Sequence, residues 1–340
     1  MINRSQNYTI ILFIFITIFL FIYSLSIGRI DIDLKTIINI LLDNIIQVKN
    51  TWSDLEEKII ELVRLPRVLM ALVIGAGLAV AGATLQGVFR NPLAGPDIIG
   101  VSSGAAFGGS LAILFFDKSI VIISLAFIFG LISIILVSFI SRINNQNPIL
   151  LVILSGVVIG ALFSALVSLL TFIADPEEKL PAIIYWLLGS LTGADYNKLL
   201  MVSIPTIFGI IIISLLRYKI NILSLGEEEA KTLGIDTQKV KWLILAIITL
   251  IISSCVAVAG IIGWVGLVVP HFARMIVGAD HKLLIPTATI IGASYLLIID
   301  NLARSLAQSE IPLSVLTAII GAPIFIYLLR KMQTKGWNNA

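Results

Sequence analysis

Cysteine and histidine are scarce in this chain of 340 residues, which contains one cysteine and two histidines. The single thiol, Cys255, cannot form a disulfide within the chain, so cysteine usage does not indicate a redox compartment. The histidines, His271 and His281, lie ten residues apart and have only Asp280 as a neighbouring carboxylate. A zinc site needs three or four closely spaced ligands. We therefore expect neither a metal centre nor a bound cofactor.

Charged residues are also few, at 13% of the chain, whereas hydrophobic residues make up 58%. Together with a mean hydropathy of +1.06, this composition excludes an ordinary soluble globular protein. The formal net charge of +3 is small and no run of basic residues occurs, so the sequence gives no indication of nucleic-acid binding. A helix needs about 20 apolar residues to cross a bilayer, and the chain holds many such runs.

Several motifs that would supply energy or catalysis are missing. No G-x-x-x-x-G-K-[ST] phosphate loop occurs, so a transporter built from this chain would need a separate ATPase subunit. No acidic or basic residue lies near the middle of a long apolar run, which weakens the alternative of an ion-coupled secondary transporter. No Ser/His/Asp or paired-carboxylate constellation stands out either, so we expect that the chain is not an enzyme.

The apolar runs predict an all-α polytopic membrane protein with about ten transmembrane helices in a single domain, residues 1–340. The division at residue 259 is the weakest, because 240–277 could also form one long span and a loop. The first run is longer than the apolar core of a signal peptide, so we interpret it as a retained helix. The predicted spans are 8–28, 66–89, 98–116, 119–140, 149–173, 199–217, 240–259, 260–277, 284–303 and 312–330.

Ten spans place both termini on one side of the membrane, and the distribution of basic residues modestly favours the cytoplasm. Residues 29–65 then form an extracytoplasmic connection, and residues 218–239 form a cytoplasmic loop. Within 29–65, apolar residues at a spacing of three to four from Leu34 to Ile46 predict an amphipathic helix. Glu56 and Glu57 precede a second apolar stretch that predicts another short helix.

Two helical faces carry small residues four positions apart. The first comprises Gly75, Ala79, Ala83 and Gly87, a pattern that allows close helix packing in a bilayer. The second lies in the run 149–173. Its residues could equally pack against a neighbouring helix or line a translocation pathway, and they are Gly156, Gly160, Ser164 and Ser168.

The loop at 218–239 contains the signals of a short, well-capped helix over about 225–233. Ser224 and Glu227 have the spacing of a capping box, and Glu227, Glu228 and Glu229 would suit the positive end of the helix dipole. Gly234 is a suitable terminator, and Asp236 can cap the helix that follows. The apolar contacts of this helix are expected to be Leu225, Ala230 and Leu233.

Five stretches resemble the FecCD-type permease subunits of binding-protein-dependent ABC importers, which serve ferric siderophores, haem and cobalamin. They are Arg64-Leu-Pro-Arg67, Arg90-Asn-Pro-Leu-Ala94, Gly100-Val-Ser-Ser-Gly-Ala105, Gly263 to Arg274, and Glu310 to Pro323, and the glycine- and alanine-rich stretch that ends at Gln86 adds to the match. The resemblance implies a multi-pass protein of the bacterial cytoplasmic membrane that carries a ferric siderophore, with haem and cobalamin as alternatives. It implies three kinds of partner: ABC ATPase subunits, an extracytoplasmic substrate-binding lipoprotein, and a second permease copy or paralogue that completes a dimer.

The resemblance also implies roles for particular residues. Arg64, Arg67 and Arg304 would receive acidic side chains of the binding protein, with Asp300 holding the direction of Arg304. The face of the run 149–173 would border the pathway. The loop helix would dock into the ATPase as a coupling helix, through Ser224, Leu225, Gly226, Glu227, Glu228, Glu229, Ala230, Leu233 and Gly234.

Overall fold

The computed structural model describes residues 4–28, 30–43, 46, 52–116, 118–143 and 148–334, and these are organised as α-helices. The helices are α1 (Arg4–Ser26), α2 (Leu34–Asp43), α3 (Asp54–Lys58), α4 (Leu65–Val88), α5 (Val101–Phe115), α6 (Ser119–Ile140), α7 (Ile149–Ile173), α8 (Lys179–Leu187), α9 (Tyr196–Leu223), α10 (Glu227–Thr232), α11 (Thr237–Ala259), α12 (Val265–Val277), α13 (His281–Ser305) and α14 (Leu313–Thr334).

Each predicted apolar run corresponds to a helix, which confirms the all-helical polytopic fold. Within the described residues, seven helical segments are long and apolar enough to cross a membrane. Three further apolar helices are shorter, namely Val101–Phe115, Val265–Val277 and the apolar part of α14, Leu313–Tyr327. Ten membrane crossings and cytoplasmic termini stay predictions.

The boundary at residue 259 divides two separate helices. α11 ends at Ala259, and Gly260 follows with a φ of +71°, a left-handed conformation that glycine adopts without steric cost. Trp264, with a φ of +69°, then immediately precedes α12. Residues 240–277 therefore form two helices and not one continuous helix, while their assignment as two separate spans stays a prediction.

The predicted short helix near Glu56 exists, but it is continuous with the second span. α3 runs into a π-helical segment, Ile59–Arg64, and this segment runs into α4, so that one helical rod extends over Asp54–Val88. Ser53 and Glu56 form a complete capping box at its start. The amphipathic helix in the first connection is α2, which buries Ile37 and Ile40.

α4 lies in the centre of the molecule, where α9, α11, α12 and α13 pack around it. Its stripe of small residues faces α13: a Cβ on Gly75 would lie 2.2 Å from the carbonyl oxygen of Gly292, and one on Gly87 would lie 2.4 Å from His281 Nε2. Gly82 meets α12 in the same way, since a Cβ there would lie 1.8 Å from the carbonyl oxygen of Gly266. α4 approaches α12 and α13 this closely because its glycines have no side chain, which confirms the packing role of the stripe.

Candidate functional sites at the two ends of the bundle

Three arginines meet at one end of the bundle, which we call the arginine end. Arg64 and Arg67 lie where the π-helical segment passes into α4, and Arg304 lies in the last turn of α13. All three side chains are largely buried, with relative exposures of 4% for the residue Arg64, 7% for Arg67 and 8% for the side chain of Arg304. Buried guanidinium groups require internal partners, because leaving one unpaired is costly.

Arg67 is held by two carboxylates. Its Nε and Nη2 donate to Asp300 Oδ1 over 3.0 and 2.9 Å, and Asp300 is fully buried. Its Nη1 and Nη2 donate to the two carboxylate oxygens of Glu310 over 2.8 and 2.9 Å. Thr192 also donates to Glu310, over 2.7 Å. Arg67 therefore links α4 to α13, to the α13–α14 loop and, through Glu310, to the α8–α9 loop.

Arg64 and Arg304 hold the end of α1. Arg64 Nη1 donates to the carbonyl of Leu25 over 2.7 Å and to that of Ser26 over 3.1 Å. Arg304 Nη1 donates to the carbonyl of Ile27 over 2.9 Å, and its Nη2 donates to that of Ser24 over 3.2 Å. The last carbonyls of a helix have no partner within the helix, so these arginines act as its C-terminal cap.

The contact predicted between Asp300 and Arg304 is confirmed, with 3.1 Å between Oδ2 and Nε. The structure thus brings the three predicted docking residues together, but it directs most of their donor groups at acceptors within the chain. Cavities of about 200 and 670 Å³ adjoin them. Docking of a partner on these arginines stays a prediction.

Glu310 was not assigned a role from the sequence, although it opens the quoted stretch before the last helix. Partial burial raises the pKa of its carboxyl, but the hydrogen bonds from Arg67 and Thr192 outweigh this effect and hold the pKa below the ordinary value. Glu310 is therefore an ionised acceptor at neutral pH.

α10 lies at the opposite end of the bundle, which we call the loop end. The capping box predicted between Ser224 and Glu227 is wrong. Ser224 closes α9 with a helical backbone, φ −69° and ψ −15°, and its hydroxyl donates to the carbonyl of Asn221. An N-cap needs an extended backbone, and Gly226, with φ +146° and ψ 158°, takes that position instead.

The predicted C-terminal signals of α10 are confirmed. Gly234 has a φ of +78°, and its amide donates to the carbonyl of Lys231, while the amide of Ile235 donates to that of Ala230. This pair of bonds is a Schellman motif. Asp236 then caps α11, because its side chain accepts a hydrogen bond from the amide of Lys239 over 3.1 Å.

The two faces of α10 differ in burial. Ala230 is fully buried within its own chain, and Glu227 turns inward to form an ion pair of 2.9 Å with Lys241 of α11. Leu225 and Leu233 are 57% and 60% exposed. The expected apolar contact of Ala230 is therefore internal, whereas the two leucines are presented outward next to the exposed Glu228 and Glu229.

Asn221 attaches the loop end of α9 to the start of α13. Its side-chain nitrogen Nδ2 donates to Asp280 Oδ1 over 2.6 Å, and its side-chain oxygen Oδ1 accepts from the backbone amide of His281 over 2.9 Å. No role for Asn221 could be predicted from the sequence, because its partners are about 60 positions away in the chain. This cluster holds the base of the 218–239 loop in place.

The four residues of the predicted pathway face on α7 have different surroundings. A Cβ on Gly156 would lie 2.2 Å from the carbonyl oxygen of Ile98, so this glycine serves packing against the turn before α5. Gly160 is half-buried above Gly100. Ser164 and Ser168 are exposed on the surface of the chain. The pathway role of all four residues stays a prediction.

The profile of the FecCD transport family matches residues 16–331. The chain belongs to this family. It is 45% identical, over 93% of both chains, to the molybdate import system permease protein MolB of Haemophilus influenzae. It is 38% identical to an iron chelatin transport permease of Helicobacter pylori, over 86% of this chain and 89% of the relative. A solved structure of a metal-chelate type ABC transporter in an inward-facing conformation has 42% identity and a TM-score of 0.85, covering 96% of this chain and 99% of that one.

Membership of the FecCD transport family settles the class of the protein. The chain is the membrane permease subunit of an ABC importer, a multi-pass protein of the bacterial cytoplasmic membrane, and not an ATP-binding enzyme subunit. The ion-coupled secondary transporter that the sequence analysis kept as an alternative is therefore set aside.

Proposed function

We propose that this permease pairs with a second copy or a paralogue, receives a metal-containing cargo from a substrate-binding lipoprotein at the arginine end, and is driven by ATPase subunits bound at the loop end. The observation that carries the proposal is the outward face of α10. Leu225 and Leu233 are more than half exposed and flank a short helix that Glu227 attaches to α11 through its ion pair with Lys241. Exposed leucines on a fixed polar loop are typical of a surface that a partner protein covers.

The coupling surface is tested by loss of the ATPase. Replacing Leu225 and Leu233 together with aspartate places charge on the apolar face and leaves the buried face of α10 unchanged. We expect the ATPase subunit to fall at least about tenfold in the material that co-purifies with the permease, since hot-spot residues cost 2 kcal/mol or more. Leu306→Asp, at a leucine with 59% exposure in the arginine end, is the matched control. Undiminished co-purification of the double variant would refute coupling through α10.

Docking of the binding protein at the arginine end is the second element of the proposal. The proposal is supported by three guanidinium groups that lie together beside open cavities. A guanidinium group can bind a carboxylate through two hydrogen bonds. A docking carboxylate would have to compete with Glu310 for Arg67, or with carbonyl oxygens for Arg64 and Arg304. Docking would therefore rearrange this end of the bundle rather than add a contact to it.

The pathway would run beside α7 at the interface of two permease copies. Ser164 and Ser168 are supported in this role by their exposure on the chain surface. Small hydroxyls would let a bulky polar solute slide past without binding it tightly. Gly156 and Gly160 would serve the same helix by fixing its distance from the turn before α5.

Two cargoes are supported by particular observations. A ferric siderophore is the cargo that the family resemblance implies, and the iron chelatin relative supports it. Molybdate is favoured by a specific observation, the 45% identity to the molybdate permease over 93% of both chains, which exceeds the 38% identity to the iron relative. Haem and cobalamin remain alternatives within the same machine.

Elemental uptake by cells that lack this gene would distinguish the cargoes. The cells are given molybdate, a ferric siderophore, haemin and cobalamin separately, and cell-associated molybdenum, iron and cobalt are measured by mass spectrometry. Loss of molybdenum alone would identify molybdate, and loss of siderophore iron alone would identify the predicted cargo. Restoration by the plasmid-borne gene is the control, and unchanged uptake of all four would contradict the proposed cargo class.

A further inference from the structure

Lys241 is buried at the loop end although it carries a charge. It lies in the second turn of α11, where the sequence suggests an ordinary cytoplasmic lysine, yet its relative exposure is 1%. Its Nζ contacts Glu227 Oε1 at 2.9 Å, and the Glu227 side chain is 27% exposed. Lysine is almost never fully buried unless it is paired, so the burial of Lys241 depends on a carboxylate such as that of Glu227.

A second ion pair nearby involves a lysine whose side chain is exposed to solvent, and it serves as a comparison for Lys241. Lys239 and Asp236 also lie 2.9 Å apart, but their side chains are 86% and 51% exposed. An exposed pair contributes little, because water screens it. Removing one partner of a buried pair leaves an uncompensated charge and is far more damaging. The two ion pairs are equally long and their lysines lie two residues apart, but the buried pair joins α10 to α11 whereas the exposed pair is local to the start of α11.

The buried pair fixes the rotation of α10 about its own axis. Glu227 and Ala230 are three residues apart and therefore share one face of the helix, which turns towards the bundle. The opposite side carries the exposed Glu228 and Glu229, while Leu225 and Leu233 flank the helix in the outward direction. α10 has only six residues and one fully buried side chain, Ala230, so apolar burial alone holds it weakly.

We propose that Lys241 is a positioning residue of the permease: its buried ammonium holds Glu227 and thereby sets the orientation in which α10 presents Leu225 and Leu233 to the ATPase. The inference rests on the proposed coupling role of α10. A buried ion pair adds little net stability compared with an apolar pair, but it can fix register and orientation. α11 is one of the most buried helices of the bundle, so the pair joins α10 to an element of the core and not of the lipid-facing surface.

The experiment uses the full permease–ATPase complex in proteoliposomes. Four variants are compared with wild type: Glu227→Gln, Lys241→Met, the double neutral variant that combines them, and the charge swap Glu227→Lys with Lys241→Glu. Asp236→Asn and Lys239→Met are the matched controls, and asparagine keeps the helix cap at position 236. The measurements are the recovery of intact complex, the ATP hydrolysis rate, and the uptake of whichever of molybdate, ferric siderophore, haemin and cobalamin the wild type imports.

We expect each single neutral variant to lower the cargo imported per ATP hydrolysed by about tenfold, which lies within the range of coupling energies for contacting charged residues. The double neutral variant leaves no unpaired buried charge, so it should be recovered intact and still be uncoupled. The charge swap should regain part of the lost coupling. The two exposed-pair controls should behave like wild type.

The outcomes separate this inference from the coupling role itself. If Glu227→Gln and the double neutral variant couple as well as the controls while the Leu225 and Leu233 double variant still releases the ATPase, the positioning role is overturned and the coupling surface stands. If the leucine variant also leaves the ATPase bound, the coupling surface fails and the inference fails with it. If Lys241→Met is not recovered, the double neutral variant and Glu227→Gln decide the question.

Discussion

Arg67 connects parts of the chain that are far apart in sequence, because its guanidinium group reaches both Asp300 and Glu310. Its position at the start of a predicted span, in a stretch that resembles the family, made this arginine a candidate from the sequence alone. Nothing in the sequence indicated that both partners lie within the chain, because they lie more than 230 positions away. The same residue can therefore hold the fold together and still lie where a partner would dock.

Replacing Arg67 distinguishes these two roles. We expect Arg67→Met to lower the free energy of unfolding by about 3 kcal/mol, because Asp300 and Glu310 lose a buried partner. Arg217→Met, at an exposed arginine of α9, should change it by less than about 0.5 kcal/mol. Denaturant unfolding in detergent gives the stability, and titration with the binding protein gives the affinity. Unchanged stability with lost affinity would contradict the anchoring role and favour docking alone.

Glu310 gives the arginine end a dependence on acid. Its carboxyl has a pKa below the ordinary 4.5 in the folded protein, because the bonds from Arg67 and Thr192 outweigh the opposing effect of burial. A lowered folded-state pKa contributes stability that is present above the unfolded pKa and is lost as the pH falls through the folded one. We expect the thermal midpoint of wild type to exceed that of Glu310→Gln at pH 6 to 7.

That difference should shrink as the pH falls below about 4.5, where the unfolded carboxyl begins to bind its proton. The other acidic residues are the same in both proteins, so their titration cancels in the difference between the two thermal midpoints. A difference in thermal midpoint that stays constant from pH 7 to pH 3.5 would show that Glu310 does not act as an ionised acceptor.

At the scale of the helix, one sequence pattern has two outcomes in this chain. Ser53 and Glu56 have the S-x-x-E spacing and form a capping box, whereas Ser224 and Glu227 have the same spacing and do not. Ser53 is extended, with φ −84° and ψ 153°, and precedes a helix directly. Ser224 still belongs to the end of α9, and Glu227 is drawn to Lys241. A pattern of four residues cannot show whether the preceding helix has already ended.

The termination of α10 was better specified by the sequence. Gly234 and Asp236 act through their own backbone and through the next few amides, and both predicted roles are confirmed. The stripe of small residues on α4 was also interpreted correctly, because close packing needs no particular partner to be known in advance. The sequence therefore predicted local features well, and missed Asn221, Glu310 and Lys241, whose roles depend on contacts between distant elements.

Close packing of α4 against α12 yields a prediction at this scale. A methyl group at position 82 would lie 1.8 Å from the carbonyl oxygen of Gly266, so the two helices would have to separate. We expect Gly82→Ala to cost about 2 kcal/mol of unfolding free energy, as overpacking of a close-packed core does. Gly95→Ala is the control, because no atom lies within 4 Å of its added methyl group. A thermal midpoint equal to that of the control would mean that the interface tolerates expansion.

For the whole molecule, the opposite directions of neighbouring helices place the predicted sites at opposite ends of the bundle. α4 begins at the arginine end and finishes near His281, while α13 begins at His281 and finishes at Arg304. Arg64, Arg67 and Arg304 therefore lie at one end and α10 lies at the other, as an importer needs if the binding protein and the ATPase approach from opposite sides. The predicted orientation, with α10 on the cytoplasmic side, depends on the distribution of basic residues and on the family resemblance.

The orientation can be measured because the native thiol is hidden. Cys255 is 1% exposed, so a membrane-impermeant maleimide should leave the unmodified permease unlabelled. A cysteine is then introduced at Glu178, whose side chain is 79% exposed before α8, or at Glu228, whose side chain is 86% exposed on α10. α8 lies near the arginine end, where Thr192 of the following loop contacts Glu310.

In intact cells expressing the permease alone, we expect Glu178→Cys to be labelled and Glu228→Cys to be labelled only after the membrane is permeabilised. This outcome places the arginines outside, where a binding protein can reach them, and α10 inside, where ATP is available. The unmodified chain, with Cys255 alone, is the control in both conditions. Labelling in the reverse order would put α10 outside and would remove the basis for both the docking and the coupling proposals, whatever the cargo.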